Sequence, residues 1–292
     1  MSVETAWGDA PTVLRMILGK QLEEMRTRAG MGFEQAAEAI GVSHWTVRRM
    51  EAAKVARLRP AEVEKLLRVY GITDQSEIDT FLQSVREANK RGWWHKYRDV
   101  MPDWFAAYLS LERAALQIRA YEPQFVHGLL QTEDYARALL TAGNPHAQAG
   151  DVDRMVALRM QRQELLHRRH PPRLWVVMDE TVLRWPVGGA EVMRGQIDHL
   201  IEVSATLPQV ALQIMPFSNG PHPGMRAGAF HLFRFKAPEL PDIVYLNGMV
   251  GAVYLDKAED VVVYRETLDR LGAQSVPIRK TAHLLGAIRK EL

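Results

Sequence analysis

Two apolar-patterned runs, Phe33–Ile40 and about His44–Ala52, are separated only by Gly41-Val42-Ser43. Helices joined by so short a turn must pack on each other at a steep angle. Gly41 is the residue type favoured just past a helix end, and Ser43 offers a hydroxyl to the free amides of the helix that follows. Ala37 is small where the first helix meets the second, and Val42, Val47 and Met50 are apolar where the second must face a core. That leaves His44, Trp45, Arg48 and Arg49 on the outer or flanking faces of the later helix.

The pair sits inside a longer helical stretch. From Pro11 to about Asn89 the apolar spacing predicts five helices with short turns. Leu14, Leu18, Leu22 and Met25 mark the inner face of the first; Val63, Leu66, Leu67 and Tyr70 that of the fourth; Ile78, Phe81, Leu82 and Val85 that of the fifth. Residues 1–10 read as a flexible tail, and 90–101, where the pattern breaks at Gly92-Trp93-Trp94, as a linker. Helical character resumes at Pro102 and continues with interruptions to His170, including an arginine-rich helix from Asp151 that Pro171-Pro172 ends. Beyond it the period changes. Leu174–Met178, Val210–Met215, Ala229–Phe235, Ile243–Leu246 and Ala252–Leu255 are short, β-branched or aromatic, and bounded by Pro, Gly, Asn or Asp, as strands are. Helices are expected at about Ala190–Ala205, Lys257–Leu271 and Ile278–Lys290. The fold class that follows is multidomain α and α+β: a five-helix domain over 11–89, then an α+β domain over 102–292 with a helical first half and a small mixed sheet.

Composition narrows the function. Of 292 residues, 47% are hydrophobic and 25% charged, values typical of a folded globular chain. Cysteine is absent, which excludes disulfides, thiolate metal sites and cysteine nucleophiles. No run approaches the ~18 apolar residues of a membrane helix, and Met1–Trp7 has neither the basic start nor the apolar core of a secretory signal. A cytoplasmic protein with no membrane association is expected. Net charge is +2, so the total says nothing about nucleic acid. The distribution says more: from His44 to Arg68 seven basic residues stand against three acidic ones.

A major groove admits one helix, whose N-terminal residues reach base edges first. Arg48 is suited to a bidentate guanine contact, His44 and Thr46 to hydrogen bonds, and Trp45 to a thymine methyl or the sugar-phosphate chain. Arg49, Lys54, Arg57 and Arg59 supply further positive charge. Double-stranded DNA is the expected partner.

These residues, with Leu18-Gly19-Lys20-Gln21-Leu22, Arg26, Ala29-Gly30, Ala37, Gly41-Val42-Ser43 and Arg49-Met50-Glu51, resemble the lambda-repressor-like, or xenobiotic response element (XRE), family of helix-turn-helix regulators. The resemblance implies a structural ion pair between Arg26 and Glu51. Two positions depart from it: Phe33 replaces a glutamine that commonly touches the DNA backbone, and Ala53 replaces a glycine that commonly ends the third helix. Further along, Gly92-Trp93-Trp94, Pro102-Asp103-Trp104-Phe105, Tyr121-Glu122-Pro123, Gly128–Ala136, Val187-Gly188-Gly189 and Pro216-Phe217 with Gly220, His222, Pro223 and Gly224 are similar to the actinobacterial XRE regulators that carry one characteristic C-terminal domain of unknown function. What this implies is a transcriptional regulator, often encoded beside a small partner protein; from the fold a homodimer is expected, with a C-terminal domain that senses a small-molecule effector or a small partner protein. The alternative it implies is an antitoxin-like interaction module with DNA binding secondary.

No cofactor, metal or catalytic residue is expected: phosphate-binding glycine loops, nucleophile elbows and zinc-protease motifs are absent from the sequence. The C-terminal half still offers candidates for ligand binding. Asp179 and Glu180 follow a strand, where open α/β sheets place ligands. His222 lies in the Pro/Gly-rich loop Asn219–Gly224, and Trp175 belongs to a set of aromatics suited to lining a pocket. His167 and His170 stand three apart, a chelating spacing, but at an arginine-rich helix end that suits solvent better.

Overall fold

Five helices open the computed structural model, which describes residues 10–148 and 150–292: α1 (Pro11–Arg28), α2 (Phe33–Ile40), α3 (His44–Glu51), α4 (Pro60–Val69) and α5 (Gln75–Ala88). All but one residue of the expected 1–10 tail lie outside the described residues. The apolar rows meet in a common core in which Val13, Leu14, Ile17, Leu18, Leu22, Val47, Leu66 and Val85 are buried. Met25, expected on the inner face of α1, is only half-buried. Gly41 and Gly71 take left-handed backbone, φ +74° and +90°, which ends α2 and the α4 turn without the Cβ clash other residues would meet. Asp74 caps α5 by accepting from the Ser76 N–H at 2.8 Å.

The chain divides into two compact units. One contains the described residues up to His95 with Ala106–Ala114 and Phe235–Leu240; the other contains Lys96–Phe105, Ala115–Arg234 and Pro241–Leu292. Ala106–Ala114 is nearly all of helix α6 (Phe105–Ala114). It completes the first unit chemically. The start of α1 has Pro11 in its first turn and no side-chain cap from Ala10, and the buried Ser110 hydroxyl accepts from both Thr12 and Val13 N–H, at 3.1 and 3.2 Å.

The second unit is built on one six-stranded sheet, β1 (Gln117–Glu122), β2 (Arg173–Asp179), β3 (Val210–Met215), β4 (Phe230–Arg234), β5 (Ile243–Asn247) and β6 (Ala252–Leu255), in the order β3-β2-β1-β4-β5-β6. β1, β2 and β3 are parallel; β4, β5 and β6 join antiparallel. Helices α7 (Glu133–Gly143), α8 (Asp151–Gln163), α9 (Thr181–Arg184), α10 (Ala190–Thr206), α11 (Ala258–Gln274) and α12 (Ile278–Glu291) complete it. One sheet face presents Tyr121, Val177, Met215, Phe230, Leu232 and Val244, which pack against Val261, Leu268 and Leu271 of α11. Among the described residues no helix is long and apolar enough to cross a membrane.

The helical first half and the mixed sheet are as expected, but that half also carries a strand the sequence did not mark, β1, which pairs in the middle of the sheet. Its charged residues disguised it. Arg119 stacks its guanidinium 4.3 Å from the Trp175 ring and pairs with Asp269, while Glu122 is bonded by His231. The arginine-rich helix also stops short of Pro171-Pro172: α8 ends at Gln163 and a 3-10 turn, Glu164–His167, follows.

Candidate nucleic-acid interface

The α2–α3 turn is closed by its own backbone and one hydroxyl. The N–H of Val42 donates to the Ala37 carbonyl at 3.0 Å, and Ser43 Oγ accepts from the Thr46 N–H at 3.2 Å. α1 fixes the far end of α3. A Cβ at Gly19 would lie 2.4 Å from the Glu51 carbonyl oxygen, so only glycine lets the two backbones approach. Beside it Arg26 Nε and Nη2 donate to the two Glu51 carboxylate oxygens at 2.8 and 2.9 Å, and Nη1 donates to the Met31 carbonyl at 2.9 Å. Both side chains are buried. The carboxylate hydrogen bonds hold the Arg26 guanidinium above its ordinary pKa.

α3 is thus held with one face free. Trp45 is 58% exposed, an unusual state for a tryptophan, and its ring centroid lies 5.2 Å from that of His44. The exposed Arg48 guanidinium lies 5.6 Å from the Trp45 ring and 5.3 Å from the Phe33 ring. Arg26 covers Phe33 at 4.0 Å. Phe33 therefore supports Arg48 from α2, a part that residue spacing did not suggest. Thr46 turns back toward Ser43, with 3.0 Å between hydroxyls. Arg49 is engaged elsewhere: Nε and Nη2 donate to the Lys54 carbonyl at 3.2 and 3.1 Å, tying the loop after α3 to the helix. Lys54 and Arg57 are exposed and, among the described residues, have no ion-pair partner; Arg59 pairs with Glu62 at 2.8 Å. His44, Trp45 and Arg48 gather on one face, while Thr46 and Arg49 lie toward the loop.

The candidates in the second unit meet only in part. Asp179 and His222, distant in sequence, come together with 3.3 Å between Oδ2 and Nε2. Asp179 Oδ1 accepts from the Thr181 N–H and hydroxyl at the start of α9. Glu180 accepts from Arg184 Nε at 2.6 Å and from the Phe217 N–H at 3.0 Å. Both carboxylates hold the chain around the strand end in place. Trp175 stands four residues up β2, about 13 Å from Asp179 at strand rise. There it bonds Gln213 at 2.9 Å and packs on Gly272, where a Cβ would meet the ring at 2.4 Å.

Sequence spacing gave no sign of a buried cluster of Glu122, His127 and His231, whose ligand-type atoms all lie within 4.8 Å of one another. His231 Nε2 is 2.8 Å from Glu122 Oε1. His127 Nδ1 accepts from the Leu129 N–H at 3.2 Å, so the neutral ring carries its proton on Nε2 and offers no lone pair there. Burial first, then the neighbouring His231, Arg162 and Arg159, hold His127 well below the ordinary histidine range. Glu122 Oε2 and His127 Nε2 are buried there and, among the described residues, have no hydrogen-bond partner.

The first unit has the geometry of a helix-turn-helix protein. The family described as a helix-turn-helix domain matches residues 17–81, and the family described as a domain of unknown function (DUF5753) matches residues 105–287. The second match covers more than half of the chain, and the protein belongs to that family. Neither the curated proteins nor the solved structures provide a match.

Proposed function

We propose that this protein is a sequence-specific transcriptional regulator of the XRE type, which reads double-stranded DNA through α3. On this reading residues 11–89 form the reading head. Residues 102–292 receive an effector or partner protein, and the protein acts as a cytoplasmic homodimer on two half-sites about 34 Å apart. One observation carries the reading: α3 is clamped at both ends, yet presents Trp45 and an Arg48 held by two aromatic rings and, among the described residues, without an acidic partner. An exposed tryptophan beside an uncompensated arginine on a braced helix suits a groove edge. The reading requires no chemistry from Asp179 or Glu180, whose oxygens are engaged in hydrogen bonds.

The test is to incubate purified full-length protein with sheared genomic fragments at physiological salt and sequence what is retained. A compact recurring motif, with paired half-sites, is expected. Featureless retention overturns the reading.

A further inference from the structure

Beside α3 opens a groove whose lining cations come from three separate segments: Arg49 of α3, Arg57 and Arg59 of the following loop, and Arg86, Lys90 and Arg91 at the end of α5. Its acidic lining residue is Glu62, which pairs with Arg59. Lys90 pairs with Glu87 at 2.7 Å, and Arg86 meets Gln83 at 3.4 Å. Arg57 and Arg91 have, among the described residues, no ion-pair partner. A concentration of like charge in one concavity is unfavourable unless an anion fills it.

The arrangement is built rather than incidental. The loop after α3 turns at Ala53, a non-glycine residue in left-handed backbone at φ +52°. Arg49 then binds the Lys54 carbonyl. At the loop's other end the Asn89 side chain clasps the backbone of buried Leu58, accepting from its N–H at 3.0 Å and donating to its carbonyl at 2.6 Å. One amide thereby fastens the loop to the end of α5 and aligns Arg57 and Arg59 with Arg86 and Arg91. Arg86, Lys90 and Arg91 all lie beyond residue 81, where the helix-turn-helix match ends.

We infer that this groove is a second contact with the phosphate backbone, carrying the flank of the duplex that α3 reads and extending the footprint past the base-reading helix. The inference rests on the DNA-reading proposal above. Thr46 and Arg49 are shared between α3 and the groove, so the track begins where the recognition helix faces the strand bordering a major groove. Phosphates at regular spacing match cations presented by a rigid loop and a helix end.

The test compares full-length wild type with the double variant Arg86→Gln/Arg91→Gln, both positions exposed, by fluorescence anisotropy on a duplex recovered from the selection. Two lost phosphate contacts should lower the slope of log affinity against log salt by about 2, so the variant loses roughly ten-fold less affinity than wild type between 50 and 200 mM. Preference among sequences should not change. Trimming base pairs outside the motif should weaken wild type and leave the variant unaffected. An unchanged slope in the variant, with wild type still motif-specific, overturns the track alone. A lowered slope on featureless duplex, without any motif in wild type, supports the track while the base-reading proposal fails.

Discussion

Phe33 lies between two guanidiniums, with Arg26 at 4.0 Å and Arg48 at 5.3 Å from its ring centroid, and this departure from the glutamine that the sequence resemblance implies bears on how Arg48 is held. A glutamine would offer a hydrogen bond to a phosphate; a phenyl ring offers a surface that restricts a long, otherwise mobile side chain. Phe33→Ala should leave the fold intact and weaken DNA binding by about 0.5–1 kcal/mol, measured by anisotropy, because Arg48 then loses more freedom on docking. The second departure has the opposite sign. Ala53 occupies left-handed backbone that costs an alanine about 1 kcal/mol, so Ala53→Gly should raise stability by roughly 0.5–1 kcal/mol in urea unfolding. A loss of stability there would show that the Ala53 methyl group makes compensating contacts.

At the scale of elements, α3 keeps its position through α1. The Arg26–Glu51 pair is buried and bidentate, so removing one partner leaves a buried charge. Arg26→Ala should cost about 3–5 kcal/mol, whereas Arg26→Met with Glu51→Leu should cost much less than the two single changes added; thermal unfolding distinguishes the two cases. Gly19→Ala forces a methyl group onto the Glu51 carbonyl and should cost about 1–3 kcal/mol while displacing α3. Most of these elements were legible in the sequence because each signal was local: Gly41 and Ser43 mark the turn, Pro60 a helix start, and the strands Val210–Met215 and Ala252–Leu255 begin and end where their bounding residues predict. β1 was not legible. Its polar residues are satisfied by Trp175, Asp269 and His231, which are distant in sequence. For the same reason the Ser110 cap, the Asn89 clasp and the Phe33 shelf were invisible to periodicity, while the exposed face of α3 followed from apolar spacing alone.

For the molecule as a whole, a charged helical unit is joined to a sheet unit that buries titratable groups. His127 illustrates the consequence. Its folded-state pKa is depressed, so the unfolded chain binds a proton near pH 6.5 that the folded chain refuses. Stability should therefore be full above that pH and fall below it, by up to about 1.4 kcal/mol per pH unit. His127→Asn keeps an acceptor for the Leu129 N–H and should show a shallower loss between pH 7.5 and 5.5 in chemical denaturation; equal slopes would place the sensitivity elsewhere. The central claim, that α3 reads base sequence, is tested most directly by scanning every base pair of a recovered motif against wild type, Arg48→Ala and Arg57→Ala. Arg48→Ala should lose about 1–3 kcal/mol and relax preference at a single base pair, while Arg57→Ala weakens all sequences alike. Uniform losses from both variants, with every preference retained, would contradict the claim.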